Sequence, residues 1–412
     1  MSTHSYHVFY FIFRHNNMTL LPTASLTSTE GIIRYYFKNG YPYSAIIQML
    51  RRYHGKCISL RTLHRRLRSY NNLRRRNSNY RSQTVTDLIV DEINRNGNTK
   101  GYRAMHQILV RKGCNVNRET VRQALKEIDP EGVKLRSKNR LERRKYFAAG
   151  PNDIWHVDGN DKLKPYGFSI HGCIDGYSRK IIWLKLSPSN KNPAEIAHHY
   201  LTTVKEVNGF PRRMRSDRGV ENFTIAGMQR YFLRNQLSNP QNAFLFGKST
   251  ANQRIEAWWS FLLKRSLNKW MNYFKDLIDQ GLYFPDKSLE REIFQFSFYG
   301  LLQDELDEIV SMWNQHRIRC TRNCDSPGGI PNILYFLPSL THTSEKKIPI
   351  RMHNDIVLAQ NFTKTSPQFG CSSLISNFCL TFMRLHGLDL PKDRHGAEQL
   401  FQILLNAVNS FV

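Results

Sequence analysis

No run of about 18 consecutive apolar residues occurs in the 412-residue chain, so no segment is built to cross a bilayer as a single helix. Acidic residues are scarce as well. Thirty-three Asp and Glu stand against 60 Lys and Arg, a formal charge of +27, and that imbalance favours a polyanionic partner, with nucleic acid first and the membrane interior excluded. Cysteines number only seven, an odd count scattered at 57, 114, 173, 320, 324, 371 and 379, which argues against a disulfide framework and for a reducing compartment. His7 to Phe13 is apolar but lacks the basic flank and small-residue cleavage site of a signal peptide. What the chain does have is 40% apolar residues, enough for a globular fold, and a length that at about 150 residues per domain predicts two to four domains.

The charge is concentrated. Residues 1–150 hold 29 Lys and Arg but 9 Asp and Glu, so twenty of the 27 excess charges lie in the first third. Arg51 to Arg81 carries eleven basic residues and no acid, with Leu60, Leu63 and Leu67 at helical spacing. A second basic stretch, Lys134 to Lys145, follows Asp129-Pro130-Glu131-Gly132 and reads as a linker.

Helix signals recur through this region. Thr27-Ser28-Thr29-Glu30 reads as a capping box opening a helix with Ile32, Ile33 and Tyr36 inward, which stops near Gly40. A second helix runs from Ser44 to Gly55. Ser59 caps a third, with Leu60, Leu63 and Leu67 inward and Arg61, Arg65, Arg66 and Arg68 outward, where arginines can reach phosphates or guanine edges. This is the pattern of a helix-turn-helix module over 27–81. A similar set follows over 84–130, with helices from Thr86 to Asn96 and from about Gly101, and a last one capped by Asn117 that exposes Arg118, Arg122 and Lys126. Its Gly101-Tyr102-Arg103 and Val116-Asn117-Arg118 resemble the helix-turn-helix ahead of the catalytic core in bacterial insertion-sequence transposases. Residues 131–150 form the basic linker.

Beyond Gly150 strand-like runs alternate with helical ones. Strands are expected at Trp155–Asp158, Phe168–Asp175 and Lys180–Leu186, a helix over Pro193–Asn208, a short strand ending at Asp217, a helix over Ile225–Asn235, a strand at Ala243–Phe246, and a helix from Asn252 with Ile255, Trp259 and Leu262 inward. The fold class is therefore a mixed α/β sheet preceded by all-α modules. Asp158 and Asp217 stand at strand ends and Glu256 in the first turns of a helix, where α/β sheets build their sites. Three carboxylates suffice to hold two divalent ions about 3.5–4 Å apart for phosphodiester chemistry, and Mg²⁺ suits such oxygen ligands.

Residues 151–275 resemble the integrase catalytic core of retroviruses, retrotransposons and related DNA transposons, a ribonuclease-H-like fold with a DDE triad. Trp155-His156-Val157-Asp158 matches its first-strand motif, Asp175-Gly176-Tyr177-Ser178-Arg179 its D-x-x-S-R hairpin signature, Ser216-Asp217-Arg218-Gly219-Val220-Glu221-Asn222 the motif around its second Asp, and Asn252-Gln253-Arg254-Ile255-Glu256 the helix start that carries its Glu. The resemblance implies that Asp158, Asp217 and Glu256 are catalytic and bind two divalent ions, Mg²⁺ or Mn²⁺, and that Asn252 makes a supporting contact. It also implies double-stranded DNA as partner, with homo-oligomers on DNA ends, and a nuclear location if the source is eukaryotic. Lys264 is a further DNA-contact candidate on the same helix. Asp175 belongs to a turn, and Asp153, Asp161 and Glu221 lie close to the triad without an assigned role.

Two departures mark this chain. Gln253 stands where the family usually has Gly, and 38 residues separate Asp217 from Glu256, slightly more than in retroviruses. Only Cys57 and Cys114 precede the core, so the retroviral zinc module is not expected. A helix from Leu301 to about His316 is expected within the helical part at 276–340, where His316, Cys320 and Cys324 make too few ligands for a metal site. Residues 341–412 show only a late amphipathic pattern, Ala397 to Phe411. The expected activity is metal-dependent DNA end processing and strand transfer. The rivals are a host-captured integrase that only binds DNA and an RNA-processing nuclease on the same fold.

Overall fold

The protein is described from a computed structural model covering residues 26, 28–70, 82–96, 100–112, 114, 116–137, 146–248, 251–320, 326–351 and 353–410. The expectations placed on His7–Phe13, Thr27, Arg74–Arg76, Arg81, Lys138–Lys145, Ser249–Thr250 and Cys324 lie outside these residues. Internal contacts divide the chain into two compact units, one holding residues 148–313 and 345–410, the other residues up to 147 together with 314–344.

The second of these units begins with three mutually packed helices, α1 (Thr29–Lys38), α2 (Tyr43–His54) and α3 (Leu60–Ser69). Their ends follow local chemistry. Ser28 Oγ accepts from Gly31 N at 3.0 Å, Gly55 takes the left-handed C-cap position that favours glycine (φ 61°), and Ser59 Oγ accepts from Thr62 N at 3.1 Å. A second group comprises α4 (Ser82–Asn96), α5 (Tyr102–Arg111) and α6 (Arg118–Ile128) around Val85, Ile89, Met105, Leu109, Val121 and Leu125. Within it Glu92 is buried and ion-paired with Lys100 and Lys112. Asp129-Pro130-Glu131-Gly132 opens a further helix, α7 (Pro130–Ser137), rather than a loop. Pro130 needs no N–H partner at the first helical position, and Asp129 Oδ1 accepts from Gly132 N at 3.0 Å.

Residues 314–344 complete the first helical group. The short α13 (Pro331–Phe336) brings Phe336, whose carbonyl accepts from Tyr53 Oη at 2.6 Å and whose ring meets Tyr53 edge-on at 5.6 Å. Gln315 Nε2 donates to Tyr35 Oη at 2.8 Å, and the Asn332 side chain faces the buried Tyr41.

The other unit is built on a five-stranded sheet of order β3-β2-β1-β4-β5, with β1 (Ile154–Asn160), β2 (Ser169–Asp175), β3 (Ile181–Ser187), β4 (Arg213–Ser216) and β5 (Phe244–Phe246). Strands β1 to β3 form an antiparallel meander, and β4 and β5 join parallel to β1. Strand β1 runs two residues past Asp158, because Gly159 and Asn160 pair with His171 and Ile170. Gly159 lacks the Cβ that would stand 2.8 Å from the Asn190 side chain. Helices α8 (Pro193–Val207) and α9 (Phe223–Phe232) pack together, and α10 (Gln253–Leu262) lies on β1 and β2. Neighbouring strand residues face opposite ways, so Gly172 meets Trp259 of α10 while His171 lies toward His199 of α8. The two helices cover opposite faces.

A π-helical turn, Leu263–Leu267, joins α10 to α11 (Asn268–Asp279). The next helix, α12, spans Ser288–Gln315 and so starts thirteen residues before the expected Leu301. Its first half buries Glu290, Ile293, Phe294, Gln295, Phe296, Ser297 and Phe298 all round, which erases the one-sided periodicity that marks a surface helix. Residues 345–410 add α14 (His353–Ala359), α15 (Ser373–Leu385) and α16 (Arg394–Asn409). Cys379 and Met383 of α15, with Leu400, Phe401 and Leu404 of α16, join one apolar core with Phe274 of α11 and Phe294 and Phe298 of α12.

Candidate active site

Asp158 lies within β1, opposite Gly172 of β2; Asp217 follows the last residue of β4; Glu256 sits in the first turn of α10. The parallel pairing of β1 with β4 and the packing of α10 on β1 bring the three together. All three side chains are half-buried. Burial, and then the charges of Glu256 and Asp217, push the Asp158 carboxyl up to about 7, while burial and Asp217 raise Glu256. Burial is the larger cause of both shifts, and repulsion among the three acids adds to it. Among the described residues no three His, Cys, Asp or Glu side chains are gathered tightly enough to enclose one ion.

Hydrogen bonds hold two of the acids in place. Trp259 Nε1 donates to Asp158 Oδ2 at 2.8 Å. Asp217 Oδ1 accepts from Gly219 N at 3.1 Å and from Asn222 Nδ2 at 3.3 Å, and the same Nδ2 donates to Glu221 Oε1 at 3.1 Å. Glu221 is itself raised by burial and by the charges of Asp217 and Asp161, so five acids share this neighbourhood.

Asn252 is buried at the start of α10. Its Nδ2 donates to Val157 O at 2.9 Å, and its Oδ1 is 2.7 Å from Nδ1 of His156, whose complete burial lowers its pKa to about 3. A neutral imidazole with the proton on Nδ1 satisfies that contact. Asn252 thus ties the helix carrying Glu256 to the strand carrying Asp158. Arg254 Nε donates to Gly176 O and Arg215 to Ala251 O, which stitches the same helix to the sheet edge.

Asp175 sits apart from the cluster. It is fully buried and accepts from Asn152 N, Ser178 N and Ser178 Oγ at 2.7–2.8 Å, while burial lifts its carboxyl to about 6. Arg179 takes the left-handed conformation (φ 62°), and its carbonyl accepts from Trp313 Nε1. The D-x-x-S-R signature is thus a buried turn. Asp153, also buried, is paired with Arg212 and Arg213.

Residues 145–347 match the family model of the integrase core domain. The chain carries an integrase core. No curated protein matches the chain significantly. Helices α15 and α16 lie beyond the matched segment yet share the apolar core, so this integrase core has a C-terminal addition built into its packing.

Of the basic candidates, Arg61, Arg65 and Arg68 on α3 are exposed and Arg66 is half-exposed; Arg118 is exposed at the start of α6. Arg122 instead forms a close ion pair with Glu119 on its own helix, which offsets its charge. Lys264 is exposed on the π-helical turn of the integrase core. Sequence reasoning missed Trp259 and Asn222 as partners of the acids. The spacing of Trp259, one turn after Glu256, was the available signal, and its apolar character placed it in the core instead.

Proposed function

We propose that this protein is a DDE-type polynucleotidyl transferase that processes DNA ends and joins them to target DNA with Mg²⁺ or Mn²⁺. The observation that carries the reading is the convergence of Asp158, Asp217 and Glu256 from β1, β4 and α10 inside an integrase core. Three hard oxygen donors that repel one another are a donor set suited to divalent ions, and Asp158 is the member that feels both other charges. Two such ions, when bound, would activate the attacking hydroxyl and stabilise the leaving oxygen. The chain's own part is to hold the carboxylates, through Asn252, Trp259 and Asn222, and to bind the duplex.

Duplex binding is assigned to the two helical groups, read as helix-turn-helix modules, with Arg61, Arg65, Arg66 and Arg68 of α3 and Arg118 of α6 as contacts and Lys264 meeting DNA at the core. Assembly as a homo-oligomer on DNA ends, and a nuclear location in a eukaryotic source, belong to the same reading. The test is cleavage of a labelled DNA end in Mn²⁺. Asp158→Asn, Asp217→Asn and Glu256→Gln should each lower the rate at least about a hundredfold while duplex binding persists, because each removes charge stabilisation of several kcal/mol from the transition state. Activity surviving any one substitution removes that residue from the site. A parent protein that binds DNA and cuts no tested end favours the captured, DNA-binding alternative, and preference for an RNA–DNA hybrid favours the nuclease.

A further inference from the structure

We propose that Trp259 and Asn222 are positioning residues of the acidic site, each fixing one oxygen of a carboxylate with a neutral N–H so that Asp158 and Asp217 are preset for divalent cations. The inference rests on the metal-dependent reading above. It starts from a contrast within the molecule. Elsewhere in this unit Asp153 is paired with Arg212 and Arg213 and Glu305 with Lys269, while the neutral donors around Asp175 serve a fully buried turn. Asp158 and Asp217 instead receive an indole N–H, a carboxamide and a backbone N–H. Neutral donors orient a carboxylate without cancelling its charge, and an indole, which can only donate, does not compete for the cation.

Packing locks both donors. A Cβ on Gly172 would stand 2.8 Å from Cη2 of Trp259, so the glycine opposite Asp158 is what lets the indole lie on the sheet and reach the carboxylate. Trp258 meets the same ring edge-on at 5.5 Å. At the second acid, a Cβ on Gly219 would stand 1.9 Å from Glu221 Oε1, so only glycine allows Glu221 to fold back beside Asp217.

Asn222 carries the more telling sign. It is 1% exposed, its Nδ2 serves both Asp217 and Glu221, and its Oδ1 is buried without a hydrogen-bond partner. Turning the amide over would set that oxygen against two carboxylates. An orphaned acceptor costs about 1–3 kcal/mol, so it is the donor side of this amide that the site uses. The Asn222 amide is therefore held for its donors. Among the described residues no hydrogen bond reaches the Glu256 carboxylate, so Glu256 is the acid left to adjust when cations enter.

The experiment is Mn²⁺ binding to the full chain without DNA, read from the free-ion signal in electron paramagnetic resonance, for the parent, Trp259→Phe, Asn222→Ala and Asp158→Asn, with melting temperatures alongside. Phe keeps an aromatic ring at this position and deletes the N–H, together with the outer edge of the indole over Gly172. Both positioning variants should raise the half-saturating Mn²⁺ concentration about tenfold or more. Their strand-cleavage rates should fall at limiting Mn²⁺ and recover toward the parent's at saturating Mn²⁺, with the KM for DNA unchanged, a pattern that general loosening of the fold does not produce. If Trp259→Phe fails to fold, Asn222→Ala carries the same prediction. Unaltered Mn²⁺ affinity in the folded positioning variants, with binding abolished in Asp158→Asn, overturns the positioning role alone. Unaltered affinity in Asp158→Asn overturns the metal-site reading as well.

Discussion

Replacing Asn252 with alanine should loosen the joint between β1 and α10. The side chain is 1% exposed, and its loss strands two buried groups at once, Val157 O at 2.9 Å and His156 Nδ1 at 2.7 Å. A buried polar group deprived of its partner costs about 1–3 kcal/mol, so Asn252→Ala should cost about 3 kcal/mol in total. For a unit of this size that corresponds to a melting temperature lower by about 6–12 °C. Asn252→Asp separates the two contacts. Its Oδ1 still accepts from His156, while its second oxygen faces the Val157 carbonyl in place of a donor, so this nearly isosteric change should also destabilise. A double-mutant cycle with His156→Phe apportions the remainder, with a coupling of about 1 kcal/mol expected for residues in direct contact. Chemical denaturation at neutral pH is the assay. A loss below about 1 kcal/mol for Asn252→Ala, or a cycle showing no coupling, refutes the claim that this amide joins helix to strand.

Three further expectations concern other parts of the molecule. Charge reversal at Arg61 and Arg65 should weaken duplex binding more than reversal at Lys346 and Lys347, and the parent's affinity should fall steeply with salt; salt-independent binding in a titration refutes this. His171 is buried, its Nδ1 accepts from Trp183 Nε1 at 3.1 Å, and burial lowers its pKa to about 3. The unfolded chain therefore binds the extra proton between about pH 6.5 and 3, and the stabilising contribution, complete above pH 6.5, is lost as pH falls by up to about 1.4 kcal/mol per pH unit. His171→Phe should flatten that slope in acid-unfolding curves, and an unchanged slope counts against it. Phe336→Ala should destabilise the N-terminal helical group by about 3 kcal/mol, since its ring packs on Tyr53, and unchanged proteolytic resistance of residues 28–70 argues against that packing.

Local signals carried much of this fold. Ser28, Ser59 and Asn117 announce helix starts because a side-chain oxygen must meet free backbone N–H groups, and each does so here. The alternation of Trp155 to Asp175 and the turn residues between strands likewise showed the meander, and the motifs around Asp158, Asp217 and Glu256 marked the integrase core. Non-local facts escaped. The bond from Trp259 to Asp158 spans 101 positions, and a core-facing tryptophan looks the same in sequence whether or not its N–H has a task. The early start of α12 was hidden by burial on every side, and the packing of α15 and α16 depends on partners more than 70 residues earlier. The helix expected from the capping box at Thr27 to Glu30 is instead capped by Ser28, with Gly31 at the third helical position, so the cap is one-sided.

The first helical group is closed by residues 314–344, which leave the ribosome long after its own helices. Tyr53 and the Phe336 carbonyl it bonds are 283 residues apart. At roughly 5–20 residues per second, about 15–60 s pass between their emergence from the ribosome. During that interval Tyr35, Tyr41 and Tyr53 lack the segment that covers them, next to the exposed arginines of α3. A ribosome stalled before residue 314 would therefore present a helical group that is made but not yet closed, whereas release past residue 344 completes it.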